Sequence, residues 1–189
     1  MTIDFENILN VSDNLVEVVR NWRNKKNVSQ YMITNHYITP EEHRQWIEKL
    51  KTKTTAKTWV VNFDGKPVGV VSLSNINLEE KTAEWGFYIA EESARGKGIG
   101  SKVLYQLLNY VFDTLHLQTL RTMVLGNNPL GLRLYEKFGF RKELTKPRSL
   151  LREKETIEIF TMSISKNEWL QARKMLQKDI EQGTKKLTS

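Results

Sequence analysis

Apolar residues recur along this chain in two rhythms, one of period two and one of period 3.6. Residues 2–8 (TIDFENI) alternate as a strand does. Ser12-Asp13 then offers a helix cap, and Leu15, Val18, Val19 and Trp22 follow at i, i+3, i+4 and i+7, which is one helical face. Arg20, Arg23, Lys25 and Lys26 gather toward its C-terminal end, where the helix dipole favours cations. Residues 28–38 (VSQYMITNHYI) show no period and read as a loop. Thr39-Pro40-Glu41-Glu42 predicts a helix start, with Thr39 as cap, Pro40 at the first helical position and Glu42 completing a capping box. Trp46, Ile47 and Leu50 supply its buried stripe. The segments 58–63 (TWVVNF) and 67–73 (PVGVVSL) flank Asp64-Gly65 and predict a hairpin. Residues 82–90 (TAEWGFYIA) predict a further strand, and Gly86 within it hints at a bulge or the close approach of a ligand.

A glycine-rich turn, Arg95 to Gly100, opens a long amphipathic helix with Val103, Leu104, Leu107, Leu108 and Val111 on its apolar side. Residues 119–125 (TLRTMVL) predict a strand. Asn127-Asn128-Pro129 starts a short helix carrying Leu132, Leu134, Tyr135 and Phe138, which Gly139 ends. Residues 156–163 (TIEIFTMS) predict a last strand, and residues 166–182 a C-terminal helix with Trp169, Ala172, Leu176 and Ile180 on one stripe. The order β-α-α-β-β-β-α-β-α-β-α predicts one α/β domain around a mixed sheet.

Composition narrows the function classes. At 189 residues the chain suffices for one domain with a real core. The absence of cysteine excludes disulfides, thiolate nucleophiles and cysteine-ligated zinc. His36, His43 and His116 fall in no metal-ligand spacing, so no metal is expected. No stretch approaches the ~20 apolar residues of a membrane span, and the first residues lack the basic and apolar regions of a signal peptide. The expectation is a cytoplasmic protein. The formal charge of +7 fits either a basic solvated surface or a phosphate-bearing partner.

The turn Arg95-Gly96-Lys97-Gly98-Ile99-Gly100 stands between a predicted strand and a predicted helix. Glycine permits positive φ and close approach of a ligand. The unpaired N–H groups of the helix's first turn point outward. Together they form a nest for phosphate oxygens, with Arg95 and Lys97 adding positive charge. A dinucleotide fingerprint would need a glycine where Ser101 stands, and a Walker loop would need a different order around Gly100-Ser101-Lys102. A plain flexible turn with a helix cap is the remaining structural reading.

These residues resemble the GNAT acetyltransferase superfamily. Arg95, Gly98 and Gly100 match its signature of Gln or Arg, two residues, Gly, one residue, then Gly or Ala. Asn128-Pro129-Leu130-Gly131-Leu132-Arg133-Leu134-Tyr135-Glu136-Lys137-Phe138-Gly139-Phe140 is similar to the family's second landmark, with Gly131 where Ser or Ala is more usual. The resemblance reaches to about Ser165. It implies a mixed, mostly antiparallel central sheet with flanking helices, splayed into a V for acetyl-CoA. Residues 1–165 would be that domain and 166–189 its C-terminal helical extension. The implied cosubstrate is acetyl-CoA. Backbone amides of Arg95, Gly96, Lys97, Gly98, Ile99, Gly100 and Ser101 would hold its pyrophosphate. The strand at Phe87, Tyr88 and Ile89 would pair with the pantetheine arm as a peptide adds to a sheet edge, and Asn128 would help hold that arm. Tyr135 would protonate the leaving thiolate. An N–H of the Phe87–Ile89 strand is a candidate oxyanion donor. The general base stays open between Glu84 and His43, and an amino sugar partly deprotonated at neutral pH needs neither.

The N-terminal third is similar to GNAT enzymes that acetylate a UDP-4-amino-4,6-dideoxy sugar in pseudaminic acid synthesis, through Arg20, Trp22, Arg23, Asn24, Val28, Met32, Glu42, His43, Trp46 and Ile47. That resemblance implies acceptor contacts from Arg23, Met32, His43 and Tyr88, with His43 facing the nucleotide and Met32 and Tyr88 the sugar's methyl group. From Arg20 to Lys57 nine Lys/Arg face three Glu, a net of +6 that suits a diphosphate better than a cationic amine. Other acceptors stay open: a ribosomal-protein N-terminus, a polyamine or an aminoglycoside. A reading from another class is a non-catalytic nucleic-acid module stacking bases on Trp22, Tyr31 and Tyr37, although no nucleic-acid motif supports it. The oligomeric state is open, with a homodimer among the possibilities.

Overall fold

The computed structural model describes residues 2–144 and 148–185, with side chains described up to Gln177. Among these residues one mixed sheet runs in the order β1-β2-β3-β4-β5-β8-β6, and β7 also pairs with β8. Its strands are β1 (Ile3–Asn7), β2 (Lys57–Phe63), β3 (Lys66–Asn77), β4 (Thr82–Ile89), β5 (Thr119–Leu125), β6 (Arg141–Lys142), β7 (Arg148–Arg152) and β8 (Glu155–Ser165). All pairings are antiparallel except β4 with β5. The helices are α1 (Asp13–Asn24), α2 (Lys26–Ser29), α3 (Pro40–Thr52), α4 (Ile99–Asn109), α5 (Pro129–Lys137) and α6 (Lys166–Lys185).

Local signals explain most boundaries. The Ser12 side chain accepts from the Leu15 N–H. Thr39 and Glu42 close a full capping box, with the Thr39 N–H 2.7 Å from the Glu42 carboxylate. Asp64 and Gly65 both take positive φ, 48° and 74°, as a two-residue hairpin turn of the I′ kind demands. Helix α4 ends at Asn109, and Val111 falls in the π-helical turn Tyr110–Thr114 that continues it.

Alternation along the strands feeds two cores. Val61, Val71, Leu73, Trp85, Leu120 and Met162 face α4, α5 and α6, where Phe112, Phe138 and Trp169 are fully buried. Val60, Val70 and Tyr88 point the other way, toward Val19 and Trp22 of α1 and Ile47 of α3. Trp169 of α6 stacks on Phe138 at 6.1 Å, so the C-terminal helix packs into the main core. Of its predicted stripe, Trp169, Ala172 and Leu176 are buried, and the side chain of Ile180 lies outside the described residues. Four elements depart from the sequence reading, the two-residue strand β6 among them. Part of the expected loop forms the short helix α2. Residues 148–152 form β7, and β8 is longer than expected, from Glu155 to Ser165.

Candidate active site

Strands β4 and β5 pair in parallel only from Thr82 to Glu84, opposite Thr119 to Arg121. The last clamp between them is a side chain: the Thr122 hydroxyl donates to the Trp85 carbonyl at 3.0 Å. Beyond it β4 continues beside β3, and β5 continues beside β8 through Leu125. The sheet therefore opens into a V. Between its arms lies a cleft of ≈ 830 Å³, lined by Glu84 to Ile89 on one arm and Thr122 to Val124 on the other. The expected V-shaped splay is present, and Gly86 faces it with nothing within 4 Å of where a Cβ would stand. Gly69 on β3 presses from the far side. A Cβ there would lie 2.1 Å from the Tyr88 carbonyl oxygen, so only glycine lets β3 approach the β4 arm this closely.

One end of the cleft is the glycine turn. Gly96 and Gly98 take positive φ, 74° and 71°, and neither has an atom within 4 Å of a Cβ position. Gly98 caps α4 without a side-chain hydrogen bond, so the helix's first N–H groups stay open to the cleft. Gly96, Gly98, Ile99, Gly100 and Ser101 line it. This cradle fits a phosphate-bearing group. Two expected cations are spent differently. The Arg95 guanidinium donates to the Ile89 carbonyl at 3.1 Å, tying the turn to the end of β4. The Lys97 ammonium sits 5.9 Å from the centre of the Phe63 ring, and Lys97 does not line the cleft.

Tyr135 stands on α5 at the base of the V. It is 6% exposed and packs edge-on against Trp85 at 5.3 Å. Burial pushes its hydroxyl pKa up to about 12, against the opposing effect of a hydrogen bond with Thr122. Tyr135 thus holds its proton across the neutral range. Asn128 also lines the cleft, but its side-chain oxygen accepts from the Gly131 N–H at 3.0 Å and caps α5. A Cβ at residue 131 would stand 2.8 Å from the Asn128 amide nitrogen, so a larger residue there would have to displace that side chain. Phe87 and Leu134 close over Gly100, each within 3.5 Å of its Cβ position. Glu84 lines the cleft where β4 and β5 part.

A further wall of the cleft is built by α1, α2 and residues 30–34, with the Asn27 carbonyl of α2 3.5 Å from the Arg95 guanidinium. Arg23, Met32 and Tyr88 line it together. Burial holds the Tyr88 hydroxyl well above its ordinary pKa. The Arg23 guanidinium donates through Nη2 to the Thr34 carbonyl, while its Nη1 is buried without a partner. Burial lowers the Arg23 pKa, and the like charge of Arg152 lowers it further. His43 is not brought here. It is 6% exposed beside Glu17 and Arg20, its ring tilted at 36° to that of Trp46 with 5.1 Å between centres, and burial pushes its imidazole below the ordinary value. Its place on the apolar side of α3 turns it away from the cleft, so neither the acceptor contact nor the base expected of it has a geometric footing. Trp22 is buried at 3% exposure with its indole N–H on Glu91 at 2.6 Å, which removes the central aromatic of the nucleic-acid reading.

Sequence reasoning missed Thr122, Gly69 and Arg152. A glycine inside the strand pattern at 69 was a usable signal. Thr122 and Arg152 gave none, because their partners are distant in sequence. Among the described residues there is no cluster of three or more His, Asp or Glu able to hold a metal, and no helix long and apolar enough to cross a membrane.

Residues 9–141 match the acetyltransferase (GNAT) domain family. The chain is 29% identical over 138 residues to acetyltransferase PseH of Campylobacter jejuni, covering 73% of this chain and 84% of that one. Its fold resembles spermidine N-acetyltransferase from Vibrio cholerae in complex with CoA and spermine, with a TM-score of 0.80 at 22% identity over 89% of this chain and 98% of that one. It also resembles the Campylobacter jejuni PseH complex with acetyl coenzyme A, with a TM-score of 0.65 at 22% identity over 87% and 99% of the two chains.

Proposed function

This chain belongs to the GNAT acetyltransferase family, and from that premise we propose that its acceptor is the 4-amino group of a UDP-linked amino-dideoxy sugar, as in pseudaminic acid synthesis. The chain is an acetyl-CoA-dependent N-acetyltransferase. The acceptor assignment rests on one observation above all, the buried and unpartnered Nη1 of Arg23 in the wall of the cleft. A buried guanidinium N–H without a partner is costly. A diphosphate or another anionic group of the acceptor satisfies it. A polyamine would instead bring like charge toward Arg23 and Arg152. The likeness to PseH supports the same choice.

Acetyl-CoA supplies the acetyl group as an activated thioester. The amides from Gly96 to Ser101 would receive its pyrophosphate, and the open edge of β4 at Phe87–Ile89 would receive the pantetheine arm, with Asn128 opposite. An N–H on that edge offers a donor to a carbonyl oxygen. Tyr135 keeps a proton at Oη for the departing sulfur. Glu84 lines the cleft and would take a proton from the acceptor amine directly or through water. Arg23, Met32 and Tyr88 hold the acceptor so that two reactants meet in one cleft, which supplies much of the rate.

The test is a CoA-release assay on the UDP-4-amino sugar, spermidine, an aminoglycoside and a ribosomal-protein N-terminal peptide. Turnover on the sugar, lost in Arg23→Ala, is the expected result. Turnover on spermidine or the peptide in place of the sugar refutes the acceptor.

A further inference from the structure

Residues 30–34 form the outer wall of the acceptor end, yet they belong to no strand or helix. Such a segment must find partners for its carbonyl groups elsewhere. The Thr34 carbonyl accepts from Arg23, and the Gln30, Met32 and Ile33 carbonyls find theirs on a hairpin more than a hundred residues away. The Arg152 guanidinium donates to the Gln30 carbonyl at 2.7 Å and to the Met32 carbonyl at 2.7 Å, with the Ile33 carbonyl at 3.4 Å. A second contact runs beside it. Ile33 packs into a small apolar cluster with Leu125, Leu150, Ile157 and Ile159, at the end of β5 and on the β7–β8 hairpin. The segment thus crosses from α2 to the far edge of the sheet.

Arg152 is aimed by its position in the hairpin. It is the last residue of β7, paired with Glu155 of β8, and the turn between them is Glu153-Lys154. Both turn residues take positive φ, 55° and 103°, a conformation costly for residues other than glycine. The chain keeps this tight turn and so holds Arg152 against the segment. The planar guanidinium can serve several carbonyls at once, as a lysine ammonium on one flexible stem does less well.

We propose that Arg152 is a positioning residue that fixes residues 30–34 and through them sets the affinity for the acceptor, without touching acetyl-CoA. The inference rests on the reading of this end of the cleft as the acceptor site.

The experiment compares the full chain with Arg152→Ala and Arg152→Lys. Amide hydrogen exchange across residues 30–34 rises about 10-fold in Arg152→Ala, the scale of one hydrogen bond from a charged donor, and less in Arg152→Lys. With the UDP-4-amino sugar, KM for the sugar rises about 10-fold, while kcat and KM for acetyl-CoA stay within about 2-fold. Guanidinium ion, well below unfolding concentrations, restores the sugar KM of Arg152→Ala and leaves wild type unchanged. Unaltered exchange overturns the proposal. So does raised exchange with an unaltered sugar KM, and so does a fall in kcat with both KM values disturbed and no guanidinium rescue. If wild type does not turn over the sugar, the acceptor assignment fails, and exchange alone then decides whether Arg152 fixes the segment.

Discussion

Replacing Tyr135 by Phe removes one hydroxyl from the base of the cleft and little else. The ring keeps its contacts with Trp85 at 5.3 Å and Phe140 at 5.6 Å. Thr122 keeps its bond to the Trp85 carbonyl, so the clamp between β4 and β5 survives. The lost hydrogen bond costs roughly 0.5–1.5 kcal/mol of stability, which a folded domain tolerates. A general acid commonly contributes about 10²–10⁴ in rate, or roughly 2.7–5.5 kcal/mol of barrier. The expectation for Tyr135→Phe is therefore a kcat lower by about 100-fold or more, with acetyl-CoA affinity unchanged. With its pKa raised to about 12, the hydroxyl also adds no descending limb to the wild-type rate profile across ordinary alkaline pH. Release of CoA can be followed with a thiol reagent, and the chain adds no background because it has no cysteine. Titration calorimetry with acetyl-CoA separates binding from turnover. A variant within about 3-fold of wild-type kcat, far short of the loss expected for a general acid, refutes the role. A weakened acetyl-CoA affinity that accounts for the whole loss refutes it equally.

Two further outcomes follow from the same geometry. Gly98→Ala forces a side chain into the left-handed region at φ 71°, which costs about 1–2 kcal/mol at the cap of α4. It should weaken acetyl-CoA binding measured by calorimetry, whereas Gly100→Ala, whose Cβ would meet Leu134 and Phe87 at an ordinary 3.5 Å, should bind nearly as wild type. Equal behaviour of the two variants contradicts the phosphate cradle. His43 makes fold stability pH-dependent. Its folded-state pKa is depressed by burial, so as pH falls below about 6.5 the unfolded chain takes up the proton first and stability drops. Its neighbour Glu17, also depressed, acts only below the carboxylate's ordinary range, which leaves the window from about pH 6.5 to 5 to His43. Thermal melts at pH 7.5 and 5.5, values either side of the ~6.5 of a free imidazole, should show a smaller loss for His43→Gln than for wild type.

Much of this architecture was written locally. The capping box at Thr39, the Asp64-Gly65 turn and the alternation of Val60-Val61 and Val70-Val71 each depend on residues a few positions apart. The glycine turn before α4 and Tyr135 after the Asn128 cap are legible for the same reason. Strand β7 was not legible. Its turn carries Glu153-Lys154 where Asn-Gly would have signalled a hairpin, and its residues alternate no apolar face. His43 shows the opposite failure. It sits in a recognisable stretch of sequence, but the helical period of α3 carries it under Trp46 and beside Arg20.

Cofactor chemistry was thus set by short-range sequence, because a phosphate nest needs only consecutive backbone groups and a helix start. The V of the cleft and the proposed acceptor end were decided by tertiary structure. Thr122 meets Trp85 across 37 positions, and Arg152 reaches Gln30 across 122. No local pattern encodes a hydrogen bond between groups that only the closed sheet brings together.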